Sequence, residues 1–118
     1  MKSVLLADDN PTNRQMMKLW LEGQTSKIDL ASTGSEALML YNTAKLAGKP
    51  YDLLILDIAM PWKTGTTVLE EIRESGDWET PVVFHTALEP YKVEPDAKKW
   101  GAEVVYKPEF LPLAKYLE

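Results

Sequence analysis

The stretch Leu53-Leu54-Ile55-Leu56-Asp57-Ile58-Ala59-Met60-Pro61, with Gly65 shortly after it, decides how this chain reads. Its apolar start is too short for a helix and reads as a strand covered on both faces. Asp57 ends that run. A second apolar run, Val4-Leu5-Leu6-Ala7, ends on Asp8-Asp9. If both are parallel strands of one sheet, three carboxylates converge at its carboxyl edge, where open α/β folds build their sites. Carboxylates crowded in this way repel one another and need a cation or a lysine to remain ionised.

Working outward, the strand candidates are residues 3–7, 27–31, 52–57, 81–85 and 102–106. All but the second are near-continuous apolar runs. Lys27-Ile28-Asp29-Leu30-Ala31 alternates, which predicts an edge strand. Helical spacing lies between the runs. Helix one starts at Pro11 with Asn10 as N-cap, and carries Met16, Met17, Trp20 and Leu21. Helix two starts near Gly34, with Thr33 and Glu36 at capping-box spacing and Ala37, Tyr41 and Ala44 on one stripe. Helix three covers about 66–74 and ends at Ser75-Gly76-Asp77. Pro90 and Pro95 predict a long loop after the fourth strand, then a short helix from about 95 to 100. A short last helix begins near Glu109 with Pro112 at its start. Five βα units predict an α/β, three-layer, doubly wound fold with a parallel sheet. A strand order of 2-1-3-4-5 would set Asp8, Asp9 and Asp57 at the switch point.

At 118 residues the chain has the size of one domain, read as 1–118, and 45% hydrophobic content excludes disorder. A net charge of -5 argues against direct nucleic-acid binding, which needs a basic face. The absence of cysteine excludes a disulfide scaffold or thiolate metal site and fits a cytoplasmic location. No apolar run approaches the roughly 18–20 residues of a membrane span, and the start is too short for a signal peptide.

Asp8-Asp9 after strand one, Asp57 with Met60-Pro61 and Gly65, Thr86-Ala87 after strand four and Lys107-Pro108 after strand five resemble the receiver domain of two-component response regulators. The likeness covers essentially the whole chain. It implies a CheY-like, flavodoxin-like fold. It further implies that Asp57 accepts a phosphoryl group from the phosphohistidine of a histidine kinase or histidine phosphotransfer protein, in a magnesium-dependent reaction. Asp9 and Asp57 would then bind Mg2+ directly, Asp8 mostly through water, and Ala59 through its backbone carbonyl. Lys107 and Thr86 would contact the transferred oxygens, and Ala87 would leave room for them. The Lys107-Pro108 bond would be cis. Such a domain signals to a partner or attached domain and is not a turnover enzyme.

Other readings remain beside this one. A pseudo-receiver would keep the fold as a protein-interaction module without phosphorylation. An aspartate-based phosphatase would want its two acids two residues apart after one strand, whereas Asp8 and Asp9 are adjacent. Three departures from the family pattern stand out, one being that the positions two after Asp57 and two after Thr86, often polar in the family, are Ala59 and Leu88. The aromatic switch residue usual three positions before the lysine is here Val104, with Tyr106 directly before Lys107 on the same strand face. The prolines at 90 and 95 alter the fourth helix. His85, the sole histidine, reads as structural, and Trp20 and Trp100 as core. Trp62 falls in the loop beside the site, where packing and a partner contact are both open.

Overall fold

The apolar runs pair as parallel strands in a computed structural model that describes residues 1–118. The strands are β1 (Lys2–Ala7), β2 (Thr25–Ala31), β3 (Leu53–Leu56), β4 (Val82–Thr86) and β5 (Glu103–Tyr106), in the order β2-β1-β3-β4-β5. All the pairings are parallel. Every residue of β3 and β4 is buried, whereas β2 lies at the edge and exposes Ser26 and Lys27. The continuous runs of β3 and β4 follow from their covered positions; β5, also read as a continuous run, lies at the other edge and exposes Glu103.

The strands are joined by helices α1 (Pro11–Glu22), α2 (Gly34–Leu46), α3 (Gly65–Glu74) and α4 (Pro90–Trp100), and a 3₁₀ helix (Leu111–Leu117) follows β5. Alternation along β1 splits its side chains between two cores. Leu5 and Ala7 join Ala37, Tyr41, Val68, Ile72, Val93 and Ala97 on one side of the sheet. Val4 and Leu6 join Met17, Leu21, Leu113 and Leu117 on the other. Three layers result, and the chain has the fold predicted above.

Helix starts follow their predicted caps. The Asn10 side chain accepts from the Asn13 amide at 2.9 Å, and Thr33 accepts from the Glu36 amide at 3.0 Å. The Glu36 carboxylate returns a bond to the Ser32 amide at 2.7 Å, one residue earlier than a capping box requires.

The predicted loop after β4 is corrected. Residues 90–100 form one continuous helix, α4. Pro90 sits at its first position, where the missing N–H would have had no helical partner. Pro95 lies inside the helix and removes a single bond, the one its position would have made to the Tyr91 carbonyl. Val93 and Ala97, one helical turn apart and both buried, supply the packing that outweighs this loss. Gly101, with φ 70°, closes the helix in the left-handed conformation. The last helix is also corrected: it starts at Leu111, not near Glu109, and winds as 3₁₀, with Pro112 in its first turn. Trp20 and Trp100 are half-buried at the rim rather than in the core, Trp20 edge-on to Phe110 and Trp100 stacked on Trp78.

The sheet edge opposite the acidic cluster is held by two buried ions. Arg73 donates to the carbonyls of Trp100, Asp77, Thr80 and Gly101, tying the end of α3 to the end of α4. Asp77 accepts from the Tyr41 phenol and from the amide and hydroxyl of Thr80, and pairs with Lys45 at 3.3 Å. Burial alone would raise the Asp77 carboxyl, but the bonds from Thr80, Tyr41 and Lys45 hold it well below its ordinary value of 3.8. Folded Asp77 thus resists a proton that the unfolded chain takes up, so its stabilisation is present above pH 3.8 and lost on acidification below it. In urea unfolding, the stability gap between wild type and Asp77→Asn should be wide at neutral pH and narrow at acid pH. A gap independent of pH would contradict this account.

Candidate functional site

Each predicted site residue lies at or just beyond the carboxyl end of a strand. Asp8 and Asp9 follow β1, Asp57 follows β3, Thr86 ends β4 and Lys107 follows β5. The neighbouring of β1 and β3 brings the first three together. One oxygen from each of Asp8, Asp9 and Asp57 lies within 4.8 Å of the others. Asp8 is 1% exposed and Asp57 7%, while Asp9 faces solvent.

Lys107 reaches across from β5. Its Nζ donates to Asp8 Oδ2 at 2.8 Å and to Asp57 Oδ2 at 3.0 Å. Asp57 Oδ1 accepts from the Ile58 amide at 2.7 Å. Burial pushes the Asp57 carboxyl above its ordinary value, and Lys107 pulls it back part of the way. For Lys107, burial works against the charge, but the bonds to Asp8 and Asp57 prevail and raise the ammonium above its ordinary value. One lysine against three carboxylates leaves an uncompensated negative charge. A cluster with only oxygen donors suits a hard cation.

Thr86 is fully buried, and its Oγ1 accepts from the Leu88 amide at 3.1 Å. The hydroxyl hydrogen therefore remains free to donate. The Lys107-Pro108 peptide is cis, as the resemblance implied. Tyr106 donates to the Glu94 carboxylate of α4 at 3.2 Å, and Val104 and Tyr106 pack on the same core.

Two supporting residues escaped the sequence reading. The Asn13 side-chain Nδ2 donates to Asp8 Oδ2, and the Arg14 guanidinium donates to the Asp8 carbonyl at 2.8 Å. Both stand in the first turn of α1, and helical side chains lean towards the N-terminus, which is where Asp8 lies. That lean, applied to the polar run after Asp9, was the available signal.

The loop from β3 to α3 is tightly seated. A Cβ on Gly65 would stand 2.1 Å from the Asp57 carbonyl oxygen, and one on Gly34 2.0 Å from that of Lys63. Trp62 lies between these seats with φ 70°, bridged by a Lys63 amide to Pro61 carbonyl bond of 2.8 Å. This is a γ-turn of the strained kind, uncommon for a bulky residue. Its indole is 84% exposed, which disposes of the packing role.

The model for the response regulator receiver domain matches residues 4–111. The chain belongs to that family. The receiver is similar to the Regulator of RpoS of Escherichia coli, 36% identical over 108 residues, which cover 91% of the chain and 30% of that protein. It is 34% identical over 119 residues to a probable cyclic di-GMP phosphodiesterase of Vibrio cholerae, covering 96% of the chain and 25% of that protein. The chain thus spans under a third of these relatives. Among solved structures it resembles the Vibrio cholerae chemotaxis protein CheY4, with a TM-score of 0.83, 29% identity and coverage of 99% and 96% of the two chains. It also resembles a chain of the CheX-CheY-BeF3-Mg2+ complex of Borrelia burgdorferi, with a TM-score of 0.81, 28% identity and coverage of 98% and 86%.

Proposed function

We propose that residues 1–118 form one receiver domain in which Asp57 accepts a phosphoryl group from a phosphohistidine on a kinase or phosphotransfer protein. The observation that carries this reading is Lys107 Nζ, bonded at once to Asp8 and Asp57 inside a cluster of three carboxylates. In the transfer, an Asp57 oxygen attacks phosphorus, the P–N bond to the donor histidine breaks, and the imidazole keeps the electron pair and takes up a proton. Lys107 moves its contact to the arriving oxygens, and Thr86 donates its free hydroxyl hydrogen to another. Such transfer depends on positioning and electrostatics.

Asp8, Asp9 and Asp57, with the Ala59 carbonyl, are the residues that would hold Mg2+. The Borrelia relative was crystallised in a complex with Mg2+ and BeF3, and the crowded oxygen donors of this chain fit the same ion. When bound, the ion supplies the positive charge that lets one anion approach another. The phosphorylated site then favours one of two conformations, and the shift signals to a partner or attached domain.

Magnesium alone should stabilise the protein. At a free concentration about 100 times the dissociation constant the gain is about 2.7 kcal/mol, read as a rise in melting temperature. Asp9→Asn should lose most of that rise. An equal rise in both proteins would take Asp9 out of the ligand set.

A further inference from the structure

We propose that His85 is a positioning residue for phosphoryl transfer, holding the segment that carries Lys107 by donating from Nε2 to the Glu109 carbonyl. The proposal rests on the receiver reading of the site. His85 is 2% exposed and directly precedes Thr86. Its Nε2 lies 2.7 Å from the Glu109 oxygen. A carbonyl only accepts, so Nε2 carries the proton. Burial lowers the imidazole below its ordinary value, against a weaker opposing pull from the Glu109 carbonyl, and keeps the ring neutral. Nδ1 is then a bare lone pair, and it is buried with no partner.

That orphaned atom is informative. Alternation places His85 on the same sheet face as Val83, within a core of Val105, Leu113 and Leu117. An apolar side chain there would remove the orphaned Nδ1 but would also take away the donor to the Glu109 carbonyl. What only the imidazole adds is the Nε2–H aimed at Glu109. Just beyond β5, Pro108 has no N–H to donate, and the Glu109 amide bonds only back within its own turn, to the Tyr106 carbonyl at 3.1 Å. The end of β4 grips this segment twice: the Thr86 carbonyl accepts from the Lys107 amide at 2.8 Å, and His85 binds the Glu109 carbonyl. Lys107 therefore leaves the sheet between two anchors, and the reach of Nζ to Asp8 and Asp57 depends on both.

The test compares wild type, His85→Met, which has no donor, and His85→Gln, whose Nε2 can replace the lost one. Three quantities are read: the rate of phosphorylation by acetyl phosphate at saturating Mg2+, the Mg2+ dissociation constant, and the acylation rate of the Lys107 amine by mass spectrometry. His85→Met should phosphorylate about 10- to 100-fold more slowly, hold Mg2+ within about twofold of wild type and acylate faster at Lys107, even if its melting temperature rises. His85→Gln should recover most of the rate and the protection. If His85→Met fails to fold, His85→Asn serves, since its shorter amide falls short of Glu109. Wild-type rates and wild-type Lys107 labelling in the donor-less variant would overturn the proposal. A wild type that takes no phosphate would instead count against the receiver reading, and the Lys107 labelling would still judge His85.

Discussion

Asp57→Asn is expected to abolish phosphoryl acceptance while leaving the fold in place. The amide that replaces the carboxylate carries no charge and is a poor nucleophile, so no acyl phosphate forms. Removing a covalent nucleophile elsewhere costs on the order of a million-fold, which here means no detectable product. The substitution is nearly isosteric. The Ile58 amide keeps an oxygen to bond, and Lys107 keeps Asp8 at 2.8 Å. Asp57 is also the carboxylate that burial penalises, so losing its charge relieves repulsion from Asp8. The check is intact mass after incubation with acetyl phosphate and Mg2+. Wild type should gain one phosphoryl group, and Asp57→Asn and a metal-free sample should gain none. Equal uptake by the variant would place the acceptor elsewhere.

Gly65→Ala should do damage of a different kind. The new methyl would stand 2.1 Å from the Asp57 carbonyl oxygen and about 3 Å from its carbonyl carbon and from Ile58 Cα. All of these are backbone atoms, so no flexible side chain can give way. Either α3 retreats from the sheet or the strand end that holds Asp57 moves. Overpacking of this kind costs about 1–3 kcal/mol, and more where backbone must shift. The same displacement misplaces Asp57 against Lys107, and an error near 1 Å can cost about 100-fold in rate. Gly23→Ala is the matched control, because nothing lies within 4 Å of its Cβ position. The urea unfolding midpoint and the phosphorylation rate should both fall in Gly65→Ala and hold in Gly23→Ala. A Gly65→Ala protein as stable and as fast as wild type would show that the seat yields more easily than its geometry implies.

Short-range physics was legible in the residues. The alternating run marked β2 as an edge strand, and the continuous runs of β1, β3 and β4 marked the interior ones; β5, also read as a continuous run, lies at the other edge. Asn10, Thr33 and Pro11 marked helix starts because unpaired amides at those ends need acceptors. The carboxylates could be placed at strand ends, and hence at one edge, once the parallel order was reasoned out. The fourth helix was misread for a related cause. Proline carries a local penalty visible in sequence, whereas the burial of Val93 and Ala97 that offsets it depends on a sheet assembled from distant segments.

What the sequence by itself determined, then, is the alternation of elements, the strand order and the chemistry of the residues at strand ends. The tertiary structure decided how those residues stand to one another. It bonded Lys107 to Asp8 and Asp57 across 99 and 50 positions of chain. It turned Asn13 back onto Asp8, left the Trp62 indole in solvent and aimed His85 at the Glu109 carbonyl. Hydrogen bonds and ion pairs form or fail over a few tenths of an ångström. Propensity and hydrophobic period carry no information at that scale; it is set only when the two cores close around the sheet.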